Sequence, residues 1–75
     1  RAQTLRTVDG NTLTADEIEK IDNAVSEIIS SSENGTGKLM FDNRYVVTYK
    51  YNENSDKLIM EVYTPEEAKL EGITF

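Results

Sequence analysis

The stretch Leu13-Thr14-Ala15-Asp16-Glu17-Ile18-Glu19-Lys20-Ile21-Asp22-Asn23-Ala24-Val25-Ser26-Glu27-Ile28-Ile29-Ser30 decides the fold. Its first residues spell a helix start. Thr14 stands at N-cap and Glu17 at N3, the reciprocal pair of a capping box, with Leu13 and Ile18 at the two positions of a hydrophobic staple. Asp16 and Glu17 place negative charge at the positive end of the helix dipole. Ile18, Ile21, Val25, Ile28 and Ile29 then recur at helical spacing, with Ala24 alongside, and make one apolar stripe. The helix is predicted over Ala15 to about Ser31. Ser30-Ser31-Ser32 weakens it, and Asn34-Gly35 supplies the stop.

Strand patterns flank the helix on both sides. Gln3 to Val8 is Thr-rich with Leu5 and Val8 and reads as a short strand, followed by the turn signal Asp9-Gly10-Asn11. Beyond the helix, Lys38 to Phe41 reads as a strand and Asp42-Asn43 as a tight turn. Arg44 to Tyr51 alternates, with Tyr45, Val47, Tyr49 and Tyr51 on one face and Arg44, Val46, Thr48 and Lys50 on the other. Asn52 to Asp56 is a polar hairpin loop. Lys57 to Thr64 returns with Leu58, Met60 and Val62 on one face and Ile59, Glu61 and Tyr63 on the other. Thr64-Pro65-Glu66-Glu67 repeats the helix-start logic, and a short helix from Pro65 to about Glu71 stops at Gly72. Ile73-Thr74-Phe75 is an apolar tail able to dock on the core. The expectation is one α+β domain spanning residues 1–75: an amphipathic helix packed on a three- to four-stranded antiparallel sheet, with a short C-terminal helix.

Composition narrows the function. The 75 residues include no Cys and no His. That removes disulfides, most zinc sites and every nucleophile–histidine relay. No phosphate-cradling glycine loop precedes a helix, and a chain this short encloses a pocket poorly, so the reading is non-enzymatic and without a cofactor or metal. Asn52-x-Asn54-x-Asp56 lacks the glycine and the final glutamate of a calcium loop and is read as a hairpin loop. Asn34-Gly35-Thr36 fits a glycosylation sequon and is read as a helix stop leading into a strand. No run of apolar residues is long enough for a membrane span, and the N-terminus lacks a signal-peptide pattern. A cytoplasmic location is expected. The chain begins at Arg1 and not at Met, which reads as a processed chain or a fragment.

The net charge is −6, and it is unevenly placed. Residues 13–35 carry Asp16, Glu17, Glu19, Asp22, Glu27 and Glu33 against Lys20 alone. Residues 65–75 carry Glu66, Glu67 and Glu71 against Lys69. The strand region between them balances Lys38, Arg44, Lys50 and Lys57 against Asp42, Glu53, Asp56 and Glu61. A helix that only needs solubility usually mixes signs through i,i+4 pairs. The acidic helix is therefore read as a docking face for a basic partner, weighed against a merely solvated face. The Tyr residues are read as cross-strand packing, weighed against an exposed contact patch. Direct nucleic-acid binding is disfavoured, because single-strand platforms are positively charged.

In these features (the acidic helix with Asp16, Glu17, Glu19, Asp22 and Glu27, the acidic C-terminal helix with Glu66, Glu67 and Glu71, the small size and the missing Cys and His) the chain resembles the small acidic inhibitors that bacteriophages make against host proteins, some of which mimic DNA. The likeness is one of general character and rests on no motif. It implies an acidic inhibitor that occludes the DNA-binding surface of a basic host protein, such as a nucleoid-associated one. Asp16, Glu17, Glu19, Asp22, Glu27, Glu66 and Glu67 would make the contact, in the host cytoplasm. The departure is the neutral strand region, which confines mimicry to one side. The alternative is a structural or homodimerising module whose acidic helix only confers solubility.

Overall fold

An apolar stripe on a helix has to be buried, and here it meets a four-stranded sheet. The computed structural model describes residues 2–8, 13–30 and 35–75. Its elements are β1 (Ala2–Thr7), α1 (Ala15–Ser30), β2 (Gly35–Phe41), β3 (Tyr45–Asn52), β4 (Lys57–Tyr63) and α2 (Pro65–Leu70), with strand order β1-β4-β3-β2. The turn signal at Asp9-Gly10-Asn11, the helix end beyond Ser30 and Asn34 of the sequon lie outside the described residues.

The capping box at the start of α1 forms as the spacing predicts. The Glu17 N–H donates to Thr14 Oγ1 at 3.1 Å, and the Thr14 N–H donates to Glu17 Oε1 at 3.0 Å. Ile21, Val25 and Ile29 are buried and pack with Leu13, Val47, Leu58, Met60 and Val62. Ile18 and Ile28 lie at the two margins of the stripe and stay partly exposed.

β2, β3 and β4 form the expected antiparallel meander. β1 corrects the expectation of a purely antiparallel sheet: it pairs in parallel with β4, from Ala2 opposite Lys57 to Thr7 opposite Val62. The reason is topological. The chain leaves β1, crosses one face as α1 and enters β2 in the same direction. Two hairpin reversals restore that direction in β4, so a β1 docked on its free edge must run parallel. The 16 residues of α1 span about 24 Å, enough to cross three strand spacings of about 4.8 Å each.

Local chemistry sets the reversals. Asp42 and Asn43 both sit at positive φ, +52° and +53°, and the Arg44 N–H closes the turn on the Phe41 carbonyl at 3.0 Å. Two consecutive left-handed residues are the type I′ signature, which Asn and Asp tolerate. This turn takes Arg44 out of the predicted strand. At the second hairpin, Asn52 Oδ1 accepts from the N–H groups of Asn54 and Ser55, and Asp56 supplies the left-handed residue.

The sheet also carries a smaller layer on its far side. Thr64 and Glu67 form a second capping box, with Pro65 at the first helical position. α2 ends in a Schellman motif: the Ile73 N–H reaches the Ala68 carbonyl and the Gly72 N–H reaches that of Lys69, with Gly72 at φ +76°. Ala68 and Ile73 close on Val46 and Tyr63, which point away from α1. Tyr63 therefore belongs to a different layer from Tyr45, Tyr49 and Tyr51.

β2 begins at Gly35, three residues before the strand read from Lys38. Gly37 pairs with Tyr49, whose ring and hydroxyl occupy the space a Cβ at Gly37 would need. An aromatic ring laid over a strand glycine restores the cover that the missing side chain gives up. Gly37→Ala is expected to displace that ring and cost about 1–3 kcal/mol. The cost should shrink markedly in a Tyr49→Ala background, a non-additivity that urea denaturation of the two single variants and the double variant measures.

Candidate functional site

The acids predicted as contacts do not form one surface. α1 covers one face of the sheet and α2 the other, so Glu66 and Glu67 are separated from the α1 acids by the sheet. Glu67 is half-buried, and its Oε1 accepts from the Thr64 N–H at 2.8 Å. Glu17 is likewise occupied: it caps α1, and its Oε2 lies 3.3 Å from Arg44 Nη1, with the side chain only 16% exposed. Both residues fasten helix ends. The capping-box pattern that locates the helices is the same pattern that withdraws these two carboxylates from the surface.

The remaining α1 acids divide by position. At 100° per residue, Asp16, Glu19 and Glu27 fall on the side opposite the buried stripe, and all three are exposed. Asp22 lies at the stripe's flank, beside β1, and accepts from the Gln3 amide. Lys20 pairs with Asp16 at 3.2 Å, one turn away. That hydrogen bond and the Asp16 charge raise the Lys20 pKa, so the ammonium stays charged across all ordinary conditions. Among the described residues, Glu19 and Glu27 have no ion-pair partner.

The strand region is neutral only when counted along the chain. Asp42, Glu53 and Asp56 sit in the two hairpin turns. Arg6, Lys38, Lys50 and Lys57 all have the parity of Ile59 and Glu61 and face away from α1. The molecule thus carries carboxylates on the outside of α1 and cations on the open sheet face behind it. Strand alternation combined with turn chemistry produces this separation, which a charge count by segment averages away.

Tyr45, Tyr49 and Tyr51 are partly buried against the α1 core, as packing residues. Arg44 stacks over the Tyr45 ring at 5.2 Å, and the Tyr51 hydroxyl donates to Asp56 Oδ1 at 2.9 Å. They therefore provide no open platform for stacked bases. Asn52 and Asp56, two of the three oxygen donors of the rejected calcium pattern, are engaged in local hydrogen bonds. Among the described residues, no helix is long and apolar enough to cross a membrane.

Glu17 and Glu19 offer a direct test of which acids are structural. Glu17→Ala should lose the cap and the Arg44 contact, about 1 kcal/mol in urea denaturation. Glu19→Ala should stay within about 0.5 kcal/mol of the parent. Tyr63 gives a pH test. Burial raises its phenol pKa, and the neighbouring Glu61 charge adds to the rise. A raised phenol keeps its stabilising contribution below the unfolded value near 10 and loses it as pH climbs through the native one. Thermal midpoints between about pH 9 and pH 11 should therefore fall less in Tyr63→Phe than in the parent.

Comparison of the chain with protein-family models, curated proteins and solved structures finds no match.

Proposed function

We propose that the chain is a non-enzymatic interaction protein whose α1 outer face occupies a basic, DNA-binding surface on another protein. One observation carries the reading: the exposed side of α1 presents Asp16, Glu19 and Glu27, flanked by Asp22, with Lys20 as its only cation. The apolar side of the same helix is committed to the core, so this face is presented rigidly. Carboxylates spaced along about 16 Å of helix would meet several ammonium or guanidinium groups at once. Charge steers the encounter, and occlusion of the basic site follows. Glu17, Glu66 and Glu67 drop out of the contact set, the first and last because they cap helices and Glu66 because it lies across the sheet. Such a partner places the chain in the cytoplasm of the cell whose DNA-binding protein it meets.

The immobilised chain should retain a basic DNA-binding protein from a bacterial lysate and release it as salt rises. The purified partner's DNA binding should fall as the chain is added. The quadruple variant Asp16→Asn, Glu19→Gln, Asp22→Asn, Glu27→Gln should bind that partner at least tenfold more weakly with little change in unfolding midpoint. Equal affinity in parent and variant refutes the proposal.

A further inference from the structure

We infer that the open half of the sheet, on the side away from α1, is a binding site for a small organic anion with an apolar body. The site is a groove of about 560 Å³ between the sheet and the C-terminal segment Gly72–Thr74. Small-molecule sites commonly enclose roughly 300–1,000 Å³.

The strand register builds the floor. Thr36, Lys50 and Ile59 lie side by side across β2, β3 and β4, and Lys38, Thr48 and Glu61 form the next row. Neighbouring side chains in such rows are about 5 Å apart. Two lysines and two threonines therefore line the β2–β3 side, a donor set that suits a carboxylate, sulfonate or phosphate. Ile59 on β4 is half-exposed, and Ile73 on the tail is only partly buried. They give the apolar part of a ligand a surface to cover.

The one carboxylate in the groove does not cancel this charge. Arg6 donates to one oxygen of Glu61, and the Tyr63 hydroxyl approaches the other at 3.4 Å. The Lys50 residue is exposed, and its side chain has no hydrogen bond or ion pair among the described residues. Lys38 donates to the Thr74 carbonyl and lies 5.3 Å from the centre of the Phe75 ring. The Schellman motif and the packing of Ile73 hold the tail as a wall. That wall favours a compact ligand over a long polyanion, and Tyr45, Tyr49 and Tyr51, which pack on the α1 side, form no base-stacking ladder on this one. The net charge of −6 repels anions at long range, so binding depends on local contact within about a Debye length.

The experiment uses the aryl sulfonate 8-anilinonaphthalene-1-sulfonate and its uncharged counterpart N-phenyl-1-naphthylamine. Titration followed by amide NMR should shift Thr36, Lys38, Thr48, Lys50, Ile59 and Gly72 to Thr74, with the α1 amides unmoved. The sulfonate should bind at least tenfold more tightly than the uncharged amine. Lys38→Gln/Lys50→Gln should weaken it at least tenfold at an unchanged unfolding midpoint, while Lys57→Gln, outside the groove, stays within twofold. If the double variant fails to fold, Lys50→Gln alone should weaken binding at least threefold. Shifts centred on α1, equal affinity for the uncharged amine, or undiminished binding by the folded lysine variants would overturn the assignment. The α1 docking proposal is untouched by any of these results, because its residues lie on the opposite face.

Discussion

Burial of Ile21, Val25 and Ile29 of α1 against Val47, Leu58, Met60 and Val62 holds the rest of the structure in place. Each such side chain contributes about 1.5–3 kcal/mol when fully removed from water. With no Cys in the chain, no covalent staple shares that work, and a domain this small has little to spare. The same packing sets the topology. A helix lying across the sheet commits β1 and β2 to one direction, and the meander then presents β4 as a parallel edge for β1. It also turns the polar side of α1 outward, which creates the acidic face.

Charge follows from the same geometry. A strand directs alternate side chains to opposite faces, and the α1 face has to be apolar. Lys38, Lys50, Lys57 and Arg6 are thereby directed to the other side. Long cationic side chains can lay their methylene stems on the sheet and keep their heads in water. Asp42 and Asp56 go to turns because aspartate tolerates positive φ, and both adopt it. An acidic protein thus acquires a basic surface. Its two faces differ in charge, and the two proposals, a basic protein on α1 and a small anion on the sheet, rest on that difference.

α2 and the tail complete that second face. The capping box at Thr64 starts α2 where β4 ends, and the left-handed Gly72 redirects the chain back over the sheet. Ile73 packs with Val46 and Tyr63, so the tail lies beside the lysines as a wall. Only part of the sheet is covered in this way, and the groove lies in the uncovered part.

The sequence by itself determined α1, its capping box and its buried stripe, the alternating faces of β3 and β4, the Asp42-Asn43 turn and the start and stop of α2. These are local: each depends on residues within a turn or two, and periodicity or cap spacing exposes them. The same local signals hid the roles of Glu17 and Glu67, which count as surface acids by composition and serve as caps in space. Tertiary structure alone decided the parallel pairing of β1, the placement of Tyr63 in the α2 layer, the separation of the α1 and α2 acids by the sheet, and the gathering of Arg6, Lys38, Lys50 and Lys57 on one face. The physical reason is common to all four. Strand partners and layer order are set by which distant surfaces bury each other, and no window of sequence contains both sides of such a contact.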